Sequence, residues 1–405
     1  MRLSSWTGAL AERNFLLLFV GQAASQIGSG MAPVAITFAV LEHGSVTDVG
    51  DVAAAGLIPV VLFLIIGGVL ADRIGRRRLM LGSDCLRMLA ESSLGVWILI
   101  DRLPLIGFMT LAALVGTGQA FFGPAMTGII PQVISDARLQ QANALNVLSN
   151  SVGGIVGPAI AGIIIAAANP GWAVLIDGFT YFVSVLSLWL MRVELAPMVQ
   201  SESFLAQLRA GWDEFWSRTW LWVIVIEFSI VNILIFAPLY VLGPVIVKQS
   251  YGGASIWGLI LASVGAGAVV GGSVMLRYHP RRPLVVATIS PLVWSWPLLG
   301  LAFHAPVALI AAGALFAGVG TSVFSILWVT TMQREIPRAI LSRVSAYDWF
   351  GSLVFLPIGM GLIGPVERIA GLTSTIVGAA ILLVIFIVTT LCVPSVSQMR
   401  APSRE

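Results

Sequence analysis

The stretch Gly68-Val69-Leu70-Ala71-Asp72-Arg73-Ile74-Gly75-Arg76-Arg77-Arg78 decides the fold of this chain. It begins inside residues 52–71, an apolar run without charge that is long enough to cross the hydrocarbon core of a bilayer. Four arginines follow within a few residues, and such clusters are typical of the cytoplasmic side of a membrane. The stretch therefore predicts a membrane span, the direction of that span and a tight loop after it.

The composition predicts an integral membrane protein. Of the 405 residues, 58% are hydrophobic and 10% are charged, whereas about 25% are charged in an ordinary soluble domain. The mean hydropathy is +0.96. A soluble fold could not bury so much apolar surface, so the lipid bilayer is an expected partner.

The charged residues and the cysteines exclude several other classes. The net charge of +3 comes from arginines in short loops, as topology signals do, so no nucleic-acid partner is expected. The two cysteines, Cys85 and Cys392, lie within apolar runs, and the three histidines lack ligand spacing. We therefore expect no disulfide framework, no metal site and no cofactor.

Gaps between charges predict twelve helices, which we number as spans 1 to 12. The charge-free stretches cover residues 14–41, 52–71, 103–135, 139–176, 228–247, 249–276, 283–333, 349–366 and 369–399. The stretch 283–333 is long enough for two spans, with a break at His304-Ala305-Pro306. Two further spans, at about 79–100 and 172–191, carry embedded charges.

The distribution of cations predicts an orientation. With the N-terminus inside the cell, the cytoplasmic loops and both termini hold nearly all arginines, and the opposite side holds only Arg102, Lys248 and Arg368. This bias also supports the span count, because a model with eleven spans would scramble it. We expect a multi-pass protein of the bacterial plasma membrane with both termini in the cytoplasm.

The chain is organised as two similar halves. Leu114-Val115-Gly116-Thr117-Gly118 matches Phe316-Ala317-Gly318-Val319-Gly320 at an offset of 202, and further weak matches are collinear with it. The predicted domains are a six-helix bundle at 1–193, a cytoplasmic amphipathic linker at 194–218 and a second six-helix bundle at 219–405. Parallel six-helix repeats are the plan of one large class of secondary transporters, with the substrate site between the halves.

Residues 68–78 closely resemble motif A of the major facilitator superfamily, the loop between its second and third helices. The span count, linker and repeat extend this resemblance to the whole chain. The gating residues that it implies are Gly68, Asp72, Arg73, Gly75, Arg76 and Arg77. The resemblance implies that the aspartate meets the start of the eleventh helix, here near residues 343–346. Arg76 and Arg77 would pair with acids, and the contacts would hold the cytoplasmic ends of the halves together in the outward-open state. The alternative is that the arginines only set topology.

Span 5 resembles motif C of the antiporter branches through Gly153, Gly157, Pro158 and Gly162. The family's penultimate glycine is Ala161 here. The resemblance implies a seal against ion leak, and simple helix packing is a compatible alternative. Asn14-Phe15, Gly21-Gln22 and Gly211-Trp212 resemble the branch of macrolide-efflux and enterobactin-exporter-like proteins. The drug-proton antiporters usually carry a motif B arginine on span 4, but the sequence from Leu114 to Gln119 has none.

Embedded acids are the candidates for proton coupling, because each charge is costly inside the bilayer. Glu227 on span 7 has no charged neighbour at helical spacing and is the first candidate, followed by Asp348 on span 11 and Asp177 on span 6. Asp177 has a structural role as its alternative. Asp84, Arg87 and Glu91 share one face of span 3 and can largely neutralise one another, which favours a structural role.

Polar and aromatic residues within the spans are the candidates for a substrate cavity, although amides inside a membrane often only bridge helices. They are Gln22, Gln26, Asn146, Asn150, Asn232, Phe122, Phe236 and Trp328.

Together these patterns predict a monomeric transporter, not an enzyme, that exports a small, partly apolar organic compound by proton antiport with alternating access. The compound would be a drug, a siderophore or a secondary metabolite. A facilitator or proton-coupled importer on the same fold stays open, as does a membrane sensor or scaffold without transport. Arrangements typical of a catalytic triad or a phosphate-binding loop are absent from the sequence.

Overall fold

The computed structural model describes residues 8–43, 46–100, 104–192, 203–251 and 254–401. All regular structure in these ranges is helical. The predicted positions of Arg102 and of linker residues 194–202 lie outside the described residues.

The first half of the chain forms six long helices. They are span 1 (Arg13–His43), span 2 (Val46–Ile74), span 3 (Arg76–Leu99), span 4 (Leu105–Val133), span 5 (Leu139–Ala167) and span 6 (Pro170–Leu190). A shorter helix, the linker helix (Phe204–Ser217), follows.

The second half forms six more spans, three of which are interrupted. They are span 7 (Thr219–Val231, a π-helical turn Asn232–Phe236, then Ala237–Ser250), span 8 (Ala254–Met275), span 9 (Pro283–Ile289, a 3-10 turn Ser290–Trp294, then Ser295–Ala302), span 10 (Val307–Glu335), span 11 (Leu341–Val354 and Leu356–Ala370) and span 12 (Leu372–Leu391).

These helices confirm the all-α membrane fold. In the described ranges, 10 helices are long and apolar enough to cross a membrane, and span 11 adds another as a pair bent by 47°. Span 3 is the remaining predicted span. Its length of 24 residues suffices, but Asp84, Arg87 and Glu91 make its composition less apolar than that of the others. Large apolar side chains such as Ile163 and Trp189 are 71% and 65% exposed, as expected of helices whose solvent is lipid.

The chain divides into two compact units. The first consists of residues 1–211 together with 333–346, and the second consists of residues 212–332 together with 347–405. The short segment 333–346, which joins spans 10 and 11, thus packs with the first unit although it is far away in sequence. The domain boundaries drawn from the sequence stay a prediction.

Each unit contains a close helix crossing at an equivalent position. A Cβ at Gly116 of span 4 would overlap the carbonyl oxygen of Gly56 on span 2. A Cβ at Gly318 of span 10 would overlap the carbonyl oxygen of Val264 on span 8. Gly116 and Gly318 are the residues that the sequence repeat pairs, so the repeat marks equivalent positions where only a hydrogen fits.

Candidate functional site

The loop between spans 2 and 3 turns at Gly75. Its φ of 91° lies in the left-handed region, where a side chain would be strained. The turn starts span 3 directly at Arg76 and places three arginines on its first turn. We call the end of the first unit that carries this loop the arginine-rich end.

Asp72 is the centre of an ion-pair cluster at the arginine-rich end. Its carboxylate accepts hydrogen bonds from Arg76 Nη2 and from Arg343 Nε, each at 3.0 Å. The side chain of Asp72 is only 5% exposed. Span 11 begins at Leu341, so the carboxylate lies near the start of that helix, as the motif resemblance implied. The ion pair with the Arg343 side chain was not anticipated from the sequence.

Arg76 is buried and ties the loop to the segment 333–346. Its Nε donates to Ser342 Oγ at 2.8 Å, its Nη1 donates to the carbonyl oxygen of Gly128 at 2.7 Å, and its Nη2 also donates to the carbonyl oxygen of Arg338. The planar guanidinium group can make these bonds together because its donors point in fixed directions.

The neighbouring arginines have different partners. Arg73 Nε donates to Gln207 Oε1 on the linker helix at 3.0 Å. Arg77 was expected to pair with an acid, but it donates to the carbonyl oxygens of Leu188 and Trp189, both at 2.6 Å. These carbonyls belong to the last turn of span 6, where the helix leaves its carbonyl groups without intrahelical partners and a cation is favourable. The expectation for Arg77 was therefore wrong, and its role here is to close a helix end.

Gly68 allows the segment 333–346 to approach span 2. A Cβ at this position would lie 2.7 Å from the carbonyl oxygen of Ser342 and 2.8 Å from the Cβ of Ala346. Both distances are shorter than a van der Waals contact, so the approach requires glycine.

Three contacts with the segment 333–346 were not predicted from the sequence. Asn143 Nδ2 on span 5 donates to Gln333 Oε1 at 2.7 Å, and Gln333 Nε2 donates to the carbonyl oxygen of Thr127 at 3.0 Å. Arg338 pairs with Asp136 at 2.6 Å. The sequence offered a weak signal, because Asp136 and Arg338 lie in equivalent loops of the repeat.

The span 5 glycines divide into two groups. A Cβ at Gly153 would lie 2.5 Å from the carbonyl oxygen of Gln26, and one at Gly157 would lie 2.6 Å from that of Ile27, so these two let spans 1 and 5 pack closely. Gly162 does not share that side, since a Cβ there would meet nothing within 4 Å among the described residues. Pro158 lies inside the helix, which continues on both sides of it.

Glu227 is the most isolated acid of the second unit. It lies on span 7, one turn before the π-helical turn, and is 2% exposed. Within the described part of the chain, neither of its carboxylate oxygens has a hydrogen-bond partner. The hydroxyl groups of Thr288 on span 9 and Thr390 on span 12 are its polar neighbours.

Asp348 connects to an aromatic series in the second unit. Both of its carboxylate oxygens lie 3.2 Å from Trp328 Nε1, which donates to them. The Trp328 ring stacks with Phe324 at 6.3 Å between centroids, and Phe324 stacks with Phe228 at 4.7 Å. Phe228 directly follows Glu227 in the sequence.

The cavity candidates Asn232 and Phe236 bound the π-helical turn. Asn232 Nδ2 donates to the carbonyl oxygen of Ser352 at 2.8 Å and therefore bridges spans 7 and 11. Phe236 extends the aromatic series, with centroid distances of 5.1 Å to Trp294 and 6.4 Å to Phe228. π-helical turns occur frequently at functional sites.

The cavity candidates of the first unit differ in their burial and in their hydrogen-bond partners. Gln22 is buried, and its Nε2 has no partner among the described residues. The same holds, in that part of the chain, for Asn146 Oδ1. Gln26 is half-buried and Asn150 is exposed. Phe122 does not line open space, because the guanidinium carbon of Arg87 lies 4.5 Å from its ring centroid.

Asp177 lies within a buried charged cluster of the first unit. The structure brings it into electrostatic range of Glu91 and Arg87 of span 3. Arg87 pairs with Asp84, and Ser184 Oγ donates to the other oxygen of Asp84 at 2.6 Å. The sequence placed the span 3 trio on one face but did not join Asp177 to it.

Comparison with known proteins identifies the family. Residues 4–404 match the model of a family described as transmembrane secretion effector. The multidrug efflux pump Tap of Mycolicibacterium fortuitum is 28% identical over 96% of this chain and 97% of its own length. Macrolide efflux protein A of Streptococcus pyogenes is 24% identical, with coverage of 86% and 87%. The enterobactin exporter EntS of Salmonella typhimurium is 25% identical, with coverage of 80% of each chain.

A solved structure shows the same fold. A bacterial homologue of the iron transporter ferroportin, in an outward-facing state, superposes with a TM-score of 0.73 over 94% of this chain and 99% of its own, at 14% identity. The resemblance drawn from motif A and from the macrolide-efflux and enterobactin-exporter branch is thereby confirmed. The chain is a multi-pass membrane protein, not an enzyme, and it belongs to the transmembrane secretion effector family of the major facilitator superfamily.

Proposed function

We propose that this transporter exports a small, partly apolar organic compound in exchange for protons, by alternating access. Three relatives that match most of the chain are named as efflux or export proteins, for a range of drugs, for macrolides and for enterobactin. The sequence has no phosphate-binding loop that could couple export to nucleotide hydrolysis. An ion gradient is therefore the driving force that we infer.

The single observation that carries the proposal is the burial of Glu227. An ionised carboxylate loses several kcal/mol of solvation on such burial, about 2.5–3.5 kcal/mol even on the mildest membrane scales for aspartate. No arginine or lysine lies near Glu227 at helical spacing to offset this cost. The residue therefore binds a proton while it is buried and releases it when its side of the protein opens to water.

Asp348 and the aromatic series fit a partly apolar substrate. The series of Phe228, Phe324 and Trp328 presents flat apolar faces, and flat rings recognise organic substrates through stacking and apolar burial. Substrate that contacts Trp328 would change the bond from its Nε1 to Asp348. Substrate binding would thereby change how readily Asp348 binds a proton.

The Asp72 cluster is the gate in this proposal. Arg76 and Arg343 bind Asp72 through side chains that are 4% and 12% exposed. Buried pairs of this kind are costly to separate one partner at a time, so they favour a two-state change over a gradual one. We infer that the cluster forms in the outward-open state and opens when the substrate enters from inside.

The orientation, location and assembly belong to the same proposal. The excess of arginine at the loops that follow even-numbered spans supports a cytoplasmic position of these loops and of both termini. The bacterial relatives support a location in the bacterial plasma membrane. Both predicted six-helix bundles lie in one chain, so we infer that it works as a monomer.

The proposal is tested in proteoliposomes with an imposed pH gradient and a fluorescent drug as probe. We expect uptake to follow the gradient and to fall to the level of empty vesicles in Glu227→Gln, because glutamine has the shape of the protonated acid but cannot release a proton. The control is Glu42→Gln, which changes an exposed acid. Transport that ignores the gradient in the unchanged protein would refute the proton coupling and favour a facilitator.

A further inference from the structure

The charged cluster of the first unit lies at the closest crossing of spans 3 and 6. A Cβ at Gly178 would lie 2.6 Å from Ser92 Oγ, and one at Gly95 would lie 2.9 Å from the carbonyl oxygen of Gly171. Glu91 precedes Ser92, and Asp177 precedes Gly178. The two acids are thus attached at the point where the backbones of the two helices come together.

Span 1 packs against the cluster that spans 3 and 6 form. Gly28 faces Asp177, and a Cβ there would overlap both Asp177 Oδ1 and the hydroxyl group of Thr180. Ser29 Oγ lies 2.9 Å from the hydroxyl group of Tyr181. Glu91 and Asp177 are consequently 2% and 1% exposed.

The cluster contains more acids than its cation can neutralise. Arg87 pairs with Asp84, and its guanidinium group lies between the rings of Phe122 and Tyr181, with 4.5 Å to each centroid. The charged or titratable groups that act on Glu91 and Asp177 are Arg87 and the phenol of Tyr181. Arg87 in turn pairs with Asp84. One positive charge therefore faces three carboxyl groups.

The hydrogen bonds show which carboxyl oxygens of the cluster have partners and which are buried without one. Asp84 is satisfied by Arg87 and Ser184. Asp177 Oδ1 accepts a hydrogen bond from Thr180 at 3.2 Å. In the described part of the chain, Asp177 Oδ2 and Glu91 Oε2 are buried without a partner. A buried oxygen of this kind fits a carboxylic acid that carries its own proton better than it fits a carboxylate.

We propose that Glu91 and Asp177 form a proton-binding site in which the two carboxyl groups share one proton. Two carboxylates that repel each other in such a buried site cannot both be ionised inside a membrane, whereas one can be, because Arg87 and Thr180 favour a single negative charge. The proton belongs to the pair rather than to one residue. The site is additional to Glu227 and Asp348 and does not depend on the proposed export function.

The site is tested by infrared spectroscopy of the full chain in lipid nanodiscs at neutral pH. The protein is prepared with and without carbon-13 in the side-chain carboxyl groups of Asp and Glu, so that the isotope shift identifies the carbonyl band of protonated carboxyl groups. Glu227→Gln and Asp348→Asn are combined as the background, which removes two buried acids of the second unit. We expect the band to remain in this background.

Each acid of the pair is then changed separately in that background. We expect Glu91→Gln to abolish the band, and Asp177→Asn to abolish it as well, because the remaining acid keeps its negative charge beside Arg87. Glu42→Gln, at an exposed position, keeps the band as the control. Size-exclusion profiles confirm that each variant is folded.

Three results would overturn the shared site: absence of the band in the background protein, persistence of the band in both variants, or its loss in only one of them. The third result would assign the proton to a single residue. The measurement needs neither a substrate nor a gradient. Its failure therefore leaves the proton-driven export untouched, and failure of export leaves this site untouched.

Discussion

The two units bury their acids in opposite ways. In the first unit, Asp84, Glu91 and Asp177 surround one guanidinium group on a crossing of tightly packed helices. In the second unit, hydroxyl groups are the neighbours of Glu227, and the indole of Trp328 is the neighbour of Asp348. The first arrangement depends on Arg87, because without this cation its buried acids would have no positive charge beside them. In the proposed function, the second arrangement lets its acids gain and lose protons, which is the property that coupling requires.

The largest expected effect is at Arg87, and it tests the first half of this comparison. Arg87→Ala removes the cation and leaves three buried acids without compensation. We expect a loss of about 3–5 kcal/mol in the free energy of unfolding, the range seen when one partner of a buried ion pair is removed. The change is measured as a lowered midpoint of thermal unfolding in detergent.

The matched control for Arg87→Ala is Glu227→Gln, which removes a buried acid from the second unit without breaking an ion pair. We expect its unfolding midpoint to stay at or above that of the unchanged protein. Equal destabilisation by the two changes would mean that the two units do not differ in the way described.

An intermediate effect on stability is expected at the glycine crossings, which the two units have in common. Gly116→Ala and Gly318→Ala each place a methyl group against a backbone carbonyl of the neighbouring span. Overpacking of this kind costs about 1–3 kcal/mol, and we expect similar losses from both because the positions are equivalent in the repeat. The free energy of unfolding is measured for both variants in detergent micelles and compared with that of the unchanged protein.

Gly123→Ala serves as the neutral control, since a Cβ at Gly123 on span 4 would meet nothing within 4 Å among the described residues. A large loss from Gly116→Ala beside a negligible loss from Gly318→Ala would show that the repeat in sequence does not extend to packing.

The smallest effect is expected from Trp328→Phe. This change keeps an aromatic ring in the series but removes the donor to Asp348. A lost hydrogen bond of this kind costs about 0.5–1.5 kcal/mol in stability. We also expect a changed dependence of drug binding on pH, because Asp348 loses its donor; tryptophan fluorescence quenching by the drug at several pH values reports it. A binding curve whose pH dependence is unchanged would separate Asp348 from the substrate.

Much of the fold could be predicted from the sequence, but the composition of the candidate sites could be predicted only in part. Charge gaps located the spans, and Gly75 was placed at a turn that its positive φ now explains. The pairing of Asp72 with Arg343 crosses 271 residues of chain, and no local pattern signals such a contact. The role of Arg77 was wrongly inferred because sequence cannot show that a helix end, rather than an acid, lies within reach.

The sequence by itself determined that this chain is an all-α membrane protein and which of its helices carry charge. Hydropathy and charge act locally, since each stretch of chain partitions into lipid or water largely by its own composition. Only the tertiary structure decided which charges meet. It joined Asp177 to the face of span 3 and placed the segment 333–346 with the first unit. Ion pairs and close packing act over a few ångströms, and which groups come that close depends on how the helices pack.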